Sequence, residues 1–380
     1  MTDEDLHAHL IGRQGSRKAL NTPVLVVELD ALNRNIQAMA RFASAHGLKL
    51  RPHAKTHKSP DIARLQVEAG AVGACCAKLG EAEALADGGI TIGLHITSPV
   101  VSAPAIERLI ALNARTEDLM TVVDNPINVA ALGEAAKGGK PLKVIIDIDP
   151  GIHRTGVASP EAAVAVFEAI RAQPGLTYMG VQYYCGMHQH IEDFAARKSS
   201  IAERTDYLQR VIAALTEAGG APEIVTGGGT GTHAIDAELG VFTELQVGSY
   251  IFMDSQYLAC DLRGEGQPAP FETALMVDAR VVSANSPGLV TLDAGFKAFS
   301  TDAGQPVPIA GAPEGAMYRF MGDEHGALIV GEARPPALAD VVTLAAPHCD
   351  PTVNLYDTYH VVQGDTLRAL WPVAGRGKSR

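Results

Sequence analysis

Positive charge is in short supply. Lys and Arg number 31 against 43 Asp and Glu, a formal net charge of −12. That balance excludes an ordinary nucleic-acid binder, which carries a basic footprint. No apolar run approaches the roughly 18 residues that a membrane-spanning helix needs, so no membrane partner is expected. The opening stretch MTDEDLHAHLIG is acidic and lacks the basic start and apolar core of a secretory leader. Cysteine is sparse as well: Cys75, Cys76, Cys185, Cys260 and Cys349 form no CxxC pair, and their odd, scattered set argues against disulfide scaffolding. A reducing cytoplasm fits. Internal repeats and low-complexity segments are missing. The remaining material, 47% hydrophobic and 19% charged over 380 residues, suffices for two domains, one of them a barrel. An intracellular enzyme is expected.

After a polar leader, PVLVVEL (23–29) reads as a strand, and Asp30 is placed to cap a helix through about Ala45. A rhythm of short apolar run, break and helical stretch then sets in. The candidate strands are Leu48–Ala54, Gly73–Lys78, Ile92–Thr97, Met120–Asp124, Lys143–Asp149, Met179–Tyr184, Glu223–Thr226 and Glu244–Phe252. Eight such units are the number that closes a (β/α)8 barrel of the TIM type, with an open doubly wound sheet as the runner-up. Beyond about residue 260, strand-like runs split by Gly, Pro and Asn turns take over. The expected domains are a barrel over 30–258 and a β-rich domain built from 1–29 and 259–380.

Barrel active sites lie where the strands end, and polar clusters fall there repeatedly. RPHAKTHK (51–58) puts His53 and Lys55 after the first barrel strand. Asp149, His153 and Arg154 follow the fifth, and Tyr184, His188 and His190 the sixth. Gly227, Gly228, Gly229, Thr230 and Gly231 follow the seventh, and Gly248, Ser249 and Tyr250 lie in the eighth. The glycine loop is neither GxGxxG nor a P-loop, so dinucleotide or ATP is not indicated. A plain tight turn is one reading; a phosphate pocket between loops seven and eight is the preferred one. Lys55 is either solvated or a nucleophilic amine. Partial burial, with Arg51 and Lys58 nearby if they point inward, would depress its pKa and let it attack an aldehyde. Lysine, phosphate and aldehyde together suggest pyridoxal 5'-phosphate. Arg154 would donate to the pyridine nitrogen and keep it unprotonated, or else form a surface ion pair with Asp149. Further on, His348 and Asp350 in PHCDPTVNLYD lie on one side of an extended segment and could clamp a divalent cation, with Cys349 turned away; a His348–Cys349 pair, whose adjacent side chains diverge, and a polar loop are the alternatives. Asp323, Glu324 and His325 in GDEHG are further polar candidates, while Asp124, Asp147 and Asp149 read as structural acids.

These motifs (TPVLVVELDALNRNI, RPHAKTHK, GACCAKLGEAEALADGGI, TGGGTG, TELQVGSYIFMD, DEHG and HCDPTVNLYD) together resemble the D-threonine aldolase and D-serine dehydratase-like group of fold-type III pyridoxal-phosphate enzymes, from about residue 21 onward. The resemblance implies an alanine-racemase-type barrel with a second β domain, and a homodimer. It implies that Lys55 carries the cofactor, that Arg154 faces the pyridine nitrogen and that Tyr184 borders the ring. Thr230, Gly231, Ser249 and neighbouring backbone, including Gly228, Gly229, Gly248 and Tyr250, would hold the phosphate. His348 and Asp350 would bind Mn2+ or a similar ion (Mg2+, Co2+ or Zn2+), and His53 and His190 would stand near the substrate hydroxyl. Related dehydratases are expected to use His-x-Cys for zinc; the oxygen ligand Asp350 suits harder ions and favours an aldolase.

The implied reaction is the retro-aldol cleavage of a D-β-hydroxy-α-amino acid to glycine and an aldehyde, with His190 or His53 taking the hydroxyl proton. A 3-hydroxyaspartate aldolase, or a D-serine or D-3-hydroxyaspartate dehydratase, would use the same residues. From other classes come a non-catalytic cofactor carrier, which would need no metal pair, and a racemase, for which Tyr318 and Tyr356 are weak candidates as the second-domain tyrosine.

Overall fold

The structure is a computed structural model and describes residues 1–264 and 266–380. Contacts divide it into two units. The first comprises 38–248, 260–268 and 377–380; the second comprises 1–37, 249–259 and 269–376. Strands are numbered along the chain from β1 (Val24–Glu28), which belongs to the second unit.

The first unit carries eight strands: β2 (Lys49–Leu50), β3 (Ala74–Cys76), β4 (Leu94–Ile96), β5 (Met120–Val123), β6 (Leu142–Ile148), β7 (Leu176–Tyr183), β8 (Ile224–Gly227) and β9 (Glu244–Leu245). All their pairings are parallel, in the order β2-β9-β8-β7-β6-β5-β4-β3. A parallel bridge between His53 and Cys75 joins the two ends, so the sheet closes as a barrel rather than remaining open. Every residue of β5 is buried, and all of β6 but Lys143, the pattern of parallel strands covered on both faces. The helices that follow β5 and β6 start where the sequence provides caps. Asn125 accepts from the Ile127 amide and Ser159 from the Ala162 amide, each with a proline in the first turn. The first and last barrel strands are much shorter than their apolar runs. Pro52 offers no ladder donor after β2, and after β9 the chain passes Gly248 into a tight turn at Ser249–Ile251.

In the second unit β10 (Leu275–Ser286), β11 (Leu289–Leu292), β12 (Val307–Ala310), β13 (Met317–Phe320), β14 (Gly326–Ile329), β15 (Val341–Ala345), β16 (Thr358–Gln363) and β17 (Thr366–Pro372) join β1 in a nine-stranded sheet. β1 lies inside it, antiparallel to β10 and parallel to β16. The helix after β1 begins at Leu29 instead of being capped by Asp30. The Glu28 carboxylate takes the Ala31 amide at 2.7 Å, and Asp30 accepts from Gln363. Glu28 immediately precedes the first helical residue, and its side chain reaches forward to the third.

Candidate active site

β2 runs out at Leu50, and a single tight turn at Ala54–Thr56 presents half-buried Lys55 at the C-terminal mouth of the barrel. The ring of His53 braces this turn. Its Nδ1 accepts the Lys55 backbone N–H at 3.4 Å, so the proton sits on Nε2 and is donated to Thr97 Oγ1 at 3.2 Å; the Thr97 hydroxyl in turn donates to the Cys76 carbonyl. Lys55 and His53 line a cavity of about 420 Å3 with Arg154 and Tyr184, and Thr97, Gln182 and Gln246 form part of its wall. The Arg154 guanidinium lies over the Tyr184 ring, 5.7 Å from its centre. Residues taken from three separate motifs thus converge on one cleft. Arg154 makes no ion pair with Asp149, which is committed elsewhere. Asp149 accepts the backbone N–H groups of Gly151, Ile152 and His153 and pairs with the His153 ring. Among the described residues, those that line the cavity include His53 but not His190, which follows Gln189 on the turn before helix Phe194–Glu217.

The two cations expected to act on Lys55 do not point at it. Buried Arg51 forms a two-pronged pair with Glu244 at 2.9 Å and donates to the Gly93 carbonyl. Lys58 is buried against Glu81. Each positive charge meets a carboxylate in direct contact, because leaving either ion unpaired in the barrel wall would cost several kcal/mol, on the order of 3–5. A buried polar network continues from the Arg51–Glu244 pair: Thr226 Oγ1 donates to Glu244 and accepts from Gln246 Nε2. Gln182 uses all four of its hydrogen-bonding positions: Nε2 donates to Asp147 at 2.9 Å and the Thr97 carbonyl at 3.2 Å, and Oε1 accepts from His95 at 2.9 Å and Gln246 at 3.2 Å. Burial pushes the Asp147 carboxyl up to about 6 and His95 down to about 4. Gln182 and Gln246 escaped the sequence reading, although alternation along β7 puts Gln182 on the same face as Tyr184.

The glycine loop follows β8 and is buried throughout, from Gly227 to Gly231. Two of its amides are already engaged: Gly229 donates to Thr232 Oγ1 at 3.2 Å and Gly231 to Gln189 Oε1 at 3.1 Å. At Gly248 a Cβ would lie 2.6 Å from Thr56 Oγ1, so only glycine lets the last barrel segment pass the lysine turn. The chain crosses into the second unit at Ser249, where Ser249 and Tyr250 are buried in a tight turn.

In the second unit His348 is extended (φ −145°, ψ 124°), but Asp350 is not: helix Cys349–Val353 begins at once and carries Asp350 in its first turn. The expected extended clamp is corrected to a cap-and-first-turn pair, with Cys349 fully buried. His348 Nδ1 donates to Asp302 Oδ2 at 2.7 Å, which leaves Nε2 as the nitrogen with a lone pair to offer. Buried Asp254 accepts the Cys349 amide at 3.0 Å; its carboxyl is pushed up to about 6 by burial, a shift His348 opposes and Asp350 reinforces. Glu324 pairs with Lys297 on the surface. Tyr318 and Tyr356 donate to the Ala294 and Ala298 carbonyls, at 2.6 and 2.9 Å, as structural tyrosines do.

Asp3, His7 and His360 also bring ligand atoms within 4.8 Å of one another. They do not suit a cation. Asn21 N–H points at His7 Nε2 (2.9 Å), His7 Nδ1–H at His360 Nε2 (2.8 Å) and His360 Nδ1–H at the Leu25 carbonyl (3.3 Å). Binding a metal at His7 Nδ1 would move the ring proton to Nε2, against the Asn21 amide.

The model of the alanine racemase N-terminal domain matches residues 27–256, and that of a putative serine dehydratase domain matches 274–362. The chain is 40% identical to 3-hydroxy-D-aspartate aldolase of Paracoccus denitrificans over 94% of its length and 93% of that protein. It is 38% identical to D-threonine aldolase of an Arthrobacter species, over 95% and 94%. The crystal structure of D-threonine aldolase from Filomicrobium marinum superposes with a TM-score of 0.90 at 39% identity, covering 95% of this chain and 97% of that one. No helix among the described residues is long and apolar enough to cross a membrane. With its closed parallel barrel, its lysine cleft and its mainly antiparallel second unit, the chain belongs to the alanine-racemase-fold family of pyridoxal-phosphate enzymes that includes the D-threonine and 3-hydroxy-D-aspartate aldolases.

Proposed function

We propose that the protein is a pyridoxal-phosphate- and divalent-metal-dependent aldolase that cleaves D-β-hydroxy-α-amino acids to glycine and an aldehyde. The observation that carries this reading is the convergence of Lys55, Arg154 and Tyr184 on one cavity. An amine, a guanidinium that donates and cannot accept, and an aromatic wall suit an aromatic aldehyde whose ring nitrogen stays unprotonated. When bound, the cofactor supplies the electron sink for breaking the Cα–Cβ bond. Lys55 would hold it covalently and Arg154 and Tyr184 would orient its ring. Thr230, Gly231, Gly248, Ser249 and Tyr250, with the backbone of Gly228 and Gly229, would surround its phosphate. His348 and Asp350 would hold the divalent cation, Mn2+ by preference, which supplies polarisation of the substrate hydroxyl. The His348–Asp302 hydrogen bond supports that reading, because a metal-bound histidine commonly donates its other ring N–H to a carboxylate.

Both ring nitrogens of His53 are engaged in bracing the lysine turn. We therefore assign His53 as the residue that steadies Lys55, and give the role of taking the hydroxyl proton to the other expected histidine, His190, although it stands outside the lining of the lysine cavity. Relatives from both aldolase types leave the Cβ substituent, methyl or carboxylate, as the finer choice; Cα–Cβ cleavage of either substrate gives glycine. The reading includes a cytoplasmic homodimer; five buried cysteines, none in a disulfide, fit a reducing compartment. The decisive experiment incubates the purified protein with D-threonine and with D-3-hydroxyaspartate. Glycine plus the matching aldehyde is the expected result. A 2-oxo acid plus ammonia would identify a dehydratase instead. Borohydride should fix the cofactor to Lys55, and Lys55→Ala should abolish both labelling and turnover.

A further inference from the structure

The glycine loop after β8 is held from behind by three side chains that neither composition nor spacing reveals. Gln189, Thr232 and Asp236 are 0%, 1% and 2% exposed. The Thr232 hydroxyl donates to Asp236 Oδ2 at 2.6 Å and accepts two N–H groups, from Gly229 at 3.2 Å and from Gln189 Nε2 at 3.1 Å. That exhausts its hydrogen-bonding capacity. Gln189 closes the frame by accepting the Gly231 amide on Oε1. The contacts are close enough to dictate residue type. A Cβ at Gly228 would come within 2.5 Å of Asp236 Oδ2, one at Gly229 within 2.4 Å of Gln189 Oε1, and one at Gly231 within 2.0 Å of the Gln189 carbonyl oxygen. The triple glycine is therefore shaped by the groups behind it. Gly229 and Gly231 turn their amides away from any anion, so the frame sets the course of the backbone and does not itself supply those donors. A space of about 10 Å3 beside Gln189, Thr232 and Asp236 is no larger than one water, so the frame has little room to relax.

We propose that Gln189, Thr232 and Asp236 are positioning residues that fix the glycine loop for the phosphate end of the cofactor, an inference that rests on the cofactor reading above. Thr232 is the pivot, since it alone touches both Gln189 and Asp236 and a loop amide. The frame contacts the glycine loop, whereas the Lys55 turn is braced by a different residue, His53. Loss of the hydroxyl should therefore weaken capture of the phosphorylated aldehyde and leave capture of the unphosphorylated one nearly intact.

The test titrates the cofactor-free protein with pyridoxal 5'-phosphate and, separately, with pyridoxal, following the visible absorbance of the lysine adduct. Thr232→Val is expected to raise the dissociation constant for pyridoxal 5'-phosphate at least about tenfold and that for pyridoxal less than about twofold. Thr232→Ser, which keeps the hydroxyl, should restore the wild-type value. Asp236→Asn serves as a second variant should the valine protein not fold, with the same divergence between the two aldehydes expected. Equal losses for both aldehydes, or no loss for either, would overturn the positioning role. If wild-type protein takes up neither aldehyde, the cofactor reading itself fails and takes this inference with it.

Discussion

Asp302 offers a sharp test of the cation site, because its effect can be sized in advance. Its carboxylate receives the His348 Nδ1–H at 2.7 Å, with the two side chains 54% and 26% exposed. A hydrogen bond to a charged partner is worth about 1.5–3 kcal/mol when water is excluded, and an exposed ion pair about 0–1. A half-exposed pair falls between, at about 1–1.5 kcal/mol. That corresponds to roughly a tenfold change in an equilibrium constant, at the low end of the 10- to 100-fold usually seen when a ligand's orienting partner is removed. Asp302→Ala should therefore weaken Mn2+ binding about tenfold, and Asp302→Asn, which keeps an acceptor in place, by only a few-fold. Free Mn2+ can be followed by its electron paramagnetic resonance signal during titration, with no substrate present. Unaltered affinity in the alanine variant would show that Asp302 does not orient His348. Failure of the wild-type protein to bind Mn2+ would remove the site altogether, whatever Asp302 does.

The buried pair in the barrel predicts an asymmetry. Glu244→Gln leaves Arg51 charged and should cost about 3–5 kcal/mol in urea unfolding, whereas Arg51→Met combined with Glu244→Leu should cost far less; a double variant weaker than the single one would refute the pairing argument. His95 is held down to about 4 by burial, against an ordinary value of 6.5. Between those limits the unfolded chain takes up a proton that the folded barrel refuses, so stability falls as pH drops through that window. The loss is at most about 3 kcal/mol. His95→Gln should flatten the difference in unfolding free energy between pH 7 and pH 5; identical differences in variant and wild type would sink this attribution. For the proton acceptor, His190→Asn should lower kcat by about 100-fold with cofactor uptake intact, and His53→Asn should instead slow adduct formation at Lys55. The reverse pattern in transient kinetics would exchange the two roles.

What the sequence made legible follows from how locally each feature is encoded. Eight apolar runs at barrel spacing carry their own signal, since a parallel strand covered on both faces must be apolar along its length. His53, Lys55, Arg154 and Tyr184 could be singled out because strand ends are where a barrel does chemistry, and one cavity now joins them. Charge compensation could not be read in the same way. Arg51 and Lys58 stand beside Lys55 in the chain, yet their partners Glu244 and Glu81 lie 193 and 23 positions away. The glycine loop shows the same limit from the other side. Its composition reads as room for an anion, and at Gly229 and Gly231 the space a Cβ would need is filled by Gln189, about 40 positions earlier in the chain. A glycine records only that something approaches the backbone closely; whether that something is a ligand or the protein's own side chain is decided by tertiary packing. Asp302 is the extreme case, an acid in a loop 46 positions before the histidine it steadies, with no periodicity to betray it. Residues that touch a cofactor cluster in motifs, whereas residues that hold those motifs in place are scattered. It is therefore the supporting residues (Glu244, Gln182, Gln189 and Thr232 in the first unit, Asp302 in the second) whose substitution best tests whether the lysine cleft and the cation pair each work as their own geometry implies.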